Sequence, residues 1–180
     1  MKRYFILYII LLFPLKNSYS QTKYKTEVGE CNFSASVPAF EPIEAKSDKL
    51  IGILDEGTGN IAAVIPIKSF EFPIALMQEH FNENYLDTKK YPKATFKGVI
   101  KDFLIKQSGT YQYQGTLSIH GEEQSISGEL LILYENNTYN VSSQMTLMPE
   151  DYKIKIPKIV YKKIAETVIV QLKLNLAPTS

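Results

Sequence analysis

The chain has 180 residues, 44% hydrophobic and 22% charged, with 20 Lys and Arg against 19 Asp and Glu. That length sets one domain with a real core, and the near-neutral balance argues against a nucleic-acid binder, which needs a basic face to neutralise phosphates. The 12 Tyr and 9 Phe bury enough surface to argue against disorder, while one Cys and two His exclude a disulfide framework and a Cys-based zinc site and argue against a His-rich metal site.

In chain order, Met1-Lys2-Arg3 is a cationic start and Tyr4 to Leu15 is an uncharged, mostly apolar run. Lys16 to Ser20 then places small residues before a cut at Gln21. This is the layout of a secretory signal over residues 1–20. A membrane anchor fits less well, because twelve helical residues reach only about 18 Å against a bilayer core of ~30 Å. Cys31 follows Glu30, not a small residue at the cut, so a lipid-anchored variant is not indicated. The expectation is an exported, soluble protein, periplasmic or secreted, of one domain over residues 21–180 with no transmembrane segment in the mature chain. Without residues 1–20 the chain carries 17 basic and 19 acidic side chains, a net of −2.

The remainder reads as strands. Candidates are Gly29–Val37, Asp48–Asp55, Asn60–Lys68 and Ala94–Ile105, then Tyr111–Ile119, Ser125–Tyr134, Thr138–Leu147 and Glu166–Leu176. Alternation is cleanest where Tyr111, Tyr113, Leu117 and Ile119 share one face, and again where Tyr139, Val141, Met145 and Leu147 do. Short polar turns at Gly121–Gln124 and Glu135–Asn137 make these segments an antiparallel meander. Asp55–Asn60 reads as a hairpin loop. About eight strands is the number at which a sheet closes around side chains or one small ligand. The exception is Pro73–Tyr85, where Ile74, Met77, Phe81 and Tyr85 form a helical stripe behind a proline suited to a first turn. A second short helix or loop is expected over Lys158–Ile164.

No reaction is legible. His80 and His120 stand apart from any cluster at ligand spacing, and Cys31 sits on the apolar face of a strand, as a small core residue does. No GxSxG, HExxH, Walker-type or GxGxxG motif is present. Asp55-Glu56, Glu122-Glu123 and Glu150-Asp151 fall in loops, where solubility explains them, and Asn136-Asn137-Thr138 fits a hairpin turn better than a glycosylation acceptor. A lipid-directed enzyme using His80 or His120 is the weakest reading; the expectation is no catalysis.

The run His80-Phe81 through Tyr91-Pro92-Lys93-Ala94-Thr95-Phe96 resembles the hallmark of the YceI-like family of secreted lipid-binding domains. Gly115-Thr-Leu117-Ser-Ile119-His120-Gly121 is similar to that family's later strand and turn. Asp151-Tyr152-Lys-Ile154 followed by Glu166-Thr-Val168-Ile-Val170 is similar to its C-terminal end. The turn after Gly121 departs from the family pattern, as does the condensed stretch from Met145 to Glu166.

The resemblance implies an all-β, eight-stranded antiparallel lipocalin-like barrel with a short helical insertion. Its apolar channel would hold an amphiphilic lipid: an isoprenoid, a quinone or a fatty-acyl chain. The candidate lining is Phe33, Ile53, Ile65, Met77, Phe81, Phe96, Tyr113, Leu117, Met145 and Leu147. Tyr113 is the residue able to offer a hydroxyl to a headgroup or quinone oxygen. No cofactor is required beyond a bound lipid or quinone, and a homodimer is left open. The alternative is a ligand-free barrel, its interior filled by side chains, acting as a structural or protein-interaction module in envelope stress.

Overall fold

In a computed structural model, residues 22–36, 40–156 and 164–179 are described. The signal segment, Val37 and most of Lys158–Ile164 lie outside the described residues; Ile164 itself opens the last strand.

The strands are β1 (Lys23–Ser36), β2 (Glu44–Ser47), β3 (Ile51–Asp55), β4 (Asn60–Pro66) and β5 (Lys93–Ile100). They continue with β6 (Gly109–Ile119), β7 (Glu122–Glu135), β8 (Thr138–Leu147) and β9 (Ile164–Pro178). All pair antiparallel with their neighbours, and β9 returns to β1 from Tyr24↔Pro178 to Ser36↔Ile164, which closes the sheet on itself. Closure leaves no free sheet edge running the length of the barrel.

Nine strands make eight staves. β3 pairs with the start of β1, along Lys23–Lys25, and β2 with its later part, along Cys31–Ser34. β2 and β3 are therefore two halves of one stave broken at Asp48–Leu50. The break crosses β1 at Gly29, where a Cβ would lie 2.1 Å from the Leu50 carbonyl oxygen. Only a glycine admits that crossing. Thr26 patches the interrupted ladder, its Oγ1 accepting from the Gly52 amide at 2.7 Å and donating to the Gly52 carbonyl at 3.1 Å.

The turns are tighter than the sequence suggested. β6 and β7 join through His120-Gly121, both at positive φ (53° and 80°), and β7 and β8 through Asn136-Asn137 (51° and 60°). Two such residues are what a two-residue hairpin needs. Glu122–Gln124, read as turn, are thus the first residues of β7. Likewise β5 ends at Ile100 rather than Ile105, as the chain turns through Asp102 at φ 50°.

The predicted helix is shorter and changes pitch. α1 covers Ala75–His80 and continues as one π turn over Phe81–Tyr85, closed by the Leu86 amide donating to the Phe81 carbonyl at 2.9 Å. It spans one end of the barrel together with residues 40–43, the His120-Gly121 turn and a strap over residues 148–156.

The opposite end is sealed. Tyr24 and Tyr139 meet edge-on at 4.7 Å, with Tyr134 4.7 Å and Phe103 5.8 Å from Tyr139. Behind them Leu54, Ile132 and Leu176 are fully buried. Tyr139 donates to Glu56 Oε1 at 2.7 Å and accepts from the Lys106 amide at 2.9 Å, so each buried polar atom of the plug is satisfied. Glu56, read as a solubility residue, is the anchor of this seal; its neighbour Asp55 caps the loop by accepting from the Gly57 and Thr58 amides.

Candidate functional site

Alternation sends every second side chain of each stave inward, and the interior is not filled uniformly. On β8 and β9, Val141 and Leu174 border empty space, while the next inward residues toward the sealed end, Tyr139 and Leu176, are packed tight. Above that level the barrel encloses a cavity of about 530 Å³. This lies within the ~300–1,000 Å³ typical of small-molecule sites. It is roofed by α1, the π turn and the strap.

The register decides which predicted residues face it. Phe33 on β1, Ile65 on β4, Phe96 on β5, Tyr113 and Leu117 on β6, and Met145 and Leu147 on β8 line the cavity, as do Met77 and Phe81 from the helical segment. Ile53 does not. It points outward, 39% exposed, because Gly52 and Leu54 hold the inward positions of β3. A side chain at Gly52 would meet Leu174 Cδ1 at 2.8 Å, so that interior position is already filled from β9.

Lining residues that the sequence did not single out include Leu50, Phe70, Phe72, Ile126 and Leu130. Phe70 and Phe72 follow a 3₁₀ turn at Ile67–Ser69, and nothing periodic marks them. With Phe33 and Phe81 they form an aromatic cluster at the mouth, ring centroids 5.0–5.9 Å apart, with Phe33 and Phe81 stacked.

The site is nearly free of charge. Among its described lining residues only Glu41 and His80 carry an acidic or basic side chain. Cys31 lines it too, and burial pushes its thiol up to about 12, so it stays protonated at neutral pH. Tyr113 is 4% exposed, and its hydroxyl makes no hydrogen bond of good geometry; burial raises its pKa, with the neighbouring Ser143 hydroxyl opposing that rise. Its ring is fixed by edge contact with Phe96 at 5.6 Å.

His120 is occupied structurally. Its ring packs on Tyr91 at 4.6 Å, and its Nδ1 lies 3.1 Å from the Tyr152 carbonyl. Gln124 donates to the Asp151 carbonyl at 2.7 Å and Lys153 pairs with Glu122 at 2.9 Å, so three contacts fasten the strap to the β6–β7 turn and the start of β7. Among the described residues no group of three His, Cys, Asp or Glu is placed to hold a metal ion.

An antiparallel β-barrel sealed at one end, with an apolar cavity under a helical roof at the other, is the architecture of a small binding barrel. The chain belongs to the family described as the YceI-like domain, which matches residues 19–176. Among solved structures it is similar to a polyisoprenoid-binding domain from Saccharophagus degradans implicated in plant cell wall breakdown. That likeness has 19% identity and a TM-score of 0.75, covering 87% of this chain and 98% of that one. It is similar also to BcnA of Burkholderia cenocepacia (17% identity, TM-score 0.69, 82% and 96% covered). The YceI protein of Campylobacter jejuni resembles it with 16% identity and a TM-score of 0.52 over 100% and 99% of the two chains. No sequence among the curated proteins matches it. Among the described residues no helix is long and apolar enough to cross a membrane.

Proposed function

We propose that this protein is an exported, non-catalytic binding protein that holds the hydrocarbon part of an amphiphilic lipid, such as an isoprenoid, quinone or fatty-acyl chain, inside the barrel. The observation that carries this reading is the apolar cavity of about 530 Å³ above a sealed aromatic floor. The family and the polyisoprenoid-binding relative support it. The signal-like residues 1–20 support export.

The energetics set a length requirement. Each methylene withdrawn from water contributes about 0.8 kcal/mol, so ten contribute about 8 kcal/mol. Association costs about 4–15 kcal/mol in lost freedom. A tail much shorter than ten carbons therefore breaks even at best, and longer chains are favoured. The test is native mass spectrometry of protein purified gently from its own host, followed by lipid extraction. A lipid-sized adduct is expected. A clean apo mass with no uptake of prenyl or long-chain acyl probes would refute the proposal.

A further inference from the structure

The barrel wall is not fully zipped. β7 and β8 pair only from Leu130↔Ser143 to Glu135↔Thr138. Toward the mouth, Glu122–Glu129 pair with β6 alone and Gln144–Leu147 with β9 alone. Between these two stretches lies a cleft of about 400 Å³, bordered by Ser125–Gly128 on one side and Gln144–Leu147 on the other. Tyr113, Ile126, Met145 and Leu147 border both this cleft and the main cavity, so the two spaces share a wall.

The unpartnered hydroxyl of Tyr113 lies at the foot of this seam. It stands 3.0 Å from where a Cβ on Gly128 would be, so the missing side chain of Gly128 makes room for it. Ser143, the last residue of the closed ladder, donates its hydroxyl to the Glu129 carbonyl at 2.7 Å and stands beside the Tyr113 hydroxyl without a hydrogen bond of good geometry between them. A polar atom left bare in an apolar site is unfavourable by a margin that one good hydrogen bond removes. Among the described residues no acidic or basic side chain borders the cleft, and none that is basic other than His80 borders the cavity. A charged head brought here would be desolvated without a counter-charge.

We infer that the seam between β7 and β8 is the seat of the ligand's polar end, that this end is an uncharged oxygen function such as a carbonyl or hydroxyl, and that Tyr113 selects it by donating a hydrogen bond. Charged heads, carboxylate or phosphate, are disfavoured at this seat. The inference rests on the cavity holding a lipid, and the experiment separates the two.

The probes are 2-heptadecanone, heptadecane and hexadecanoate, each titrated against the full chain freed of bound lipid. Wild-type protein is expected to bind the ketone about three- to tenfold more tightly than the alkane, the worth of one neutral hydrogen bond. The carboxylate is expected to bind more weakly than the ketone at neutral pH. Tyr113→Phe is expected to bring the ketone-to-alkane ratio to about one. Tyr111→Phe removes a hydroxyl on the same strand that donates to the Gln107 carbonyl instead, and should keep the ratio. Thermal melting of both variants reports that they fold. A ratio that survives Tyr113→Phe, or a wild type that binds ketone and alkane alike, overturns the inference and leaves the lipid-binding reading standing. Failure of every probe to bind overturns the lipid-binding reading and this inference with it.

Discussion

Gly115→Ala is expected to destabilise the barrel by about 2–4 kcal/mol. β5 and β6 run so close at the pair Gly98↔Gly115 that a Cβ on Gly115 would sit 2.4 Å from the Lys97 carbonyl oxygen and 2.7 Å from Gly98 Cα. A third contact, 2.7 Å to Phe96 Cε2, comes from the ring laid across the two glycines. A ring can rotate away, but the backbone of a neighbouring strand cannot. The strands must part locally, weakening one or two rungs at about 0.5–1.5 kcal/mol each. Overpacking adds about 1–3 kcal/mol. At about 2–4 °C per kcal/mol for a chain of this size, the melting temperature should fall by about 5–15 °C.

The chain has no tryptophan and 12 tyrosines, so urea unfolding followed by tyrosine emission and far-ultraviolet circular dichroism is the suitable assay. Gly109→Ala is the matched control. It lies on the same strand, its nearest contact is an ordinary 3.5 Å to the Tyr111 ring, and it should stay within about 1 kcal/mol of the parent. Combining Gly115→Ala with Phe96→Ala distinguishes the two kinds of contact. If the glycine substitution became neutral once the Phe96 ring was gone, the backbone contact with Lys97 would not be the cause, and the reasoning would fail.

Two further outcomes follow from the packing. Tyr139→Phe leaves the Lys106 amide and the Glu56 carboxylate without their shared partner, and should lower stability at pH 7 by about 1–3 kcal/mol in chemical denaturation. Burial first, then Glu56, raises the pKa of both Tyr24 and Tyr139 above 10, so the stability they contribute is present below pH 10 and lost as pH rises beyond it; Tyr139→Phe should flatten that alkaline decline. On β3, Leu54→Ala should cost about 2–5 kcal/mol and Ile53→Ala under about 1 kcal/mol, since Leu54 is fully buried and Ile53 is 39% exposed; equal effects on the denaturation midpoint would contradict the register.

How far the sequence carried depends on how unequal the two faces of each element are. On β6 and β8 one face meets the interior and the other meets water, so Tyr113, Leu117, Val141 and Met145 announced themselves by alternation. On β3 both faces are apolar. Isoleucine at positions 51 and 53 outweighs glycine at 52, and periodicity then selects the wrong side. The interior position could go to glycine only because Leu174 reaches across from β9, which no local window contains. The same non-locality hid Glu56, which is tied to a tyrosine 83 residues away. β2 is four residues with two small side chains, too short for any pattern to rise above noise. The helical stripe was visible, but the π turn was not, because it keeps Phe81 and Tyr85 on the cavity while changing the pitch between them.

Two of the three segments that carried the family resemblance, His80–Phe96 and Gly115–Gly121, turn out to be one interlocked unit. Tyr91 packs on His120 and covers Gly121, where a Cβ would come within 2.6 Å of its ring. Phe96 covers Gly98 and Gly115 in the same way. Tyr91 and Phe96 of the first segment therefore each lie over a glycine of the second, and the register of β5 on β6, with Phe96 opposite Leu117, sets that fit. Neither segment makes sense without the other, which is why their joint occurrence in order specifies a hairpin geometry and through it the barrel. It specifies much less about the ligand. From these segments Phe81, Tyr85, Phe96, Leu117 and Ile119 are among the residues facing the cavity, while Tyr91 and the glycines do not. The features that would choose a ligand, the bare Tyr113 hydroxyl, Gly128 and the open β7–β8 seam, fall outside both segments. A chain can keep the whole resemblance, and with it the fold, while the seam on which the proposed head selection rests changes independently.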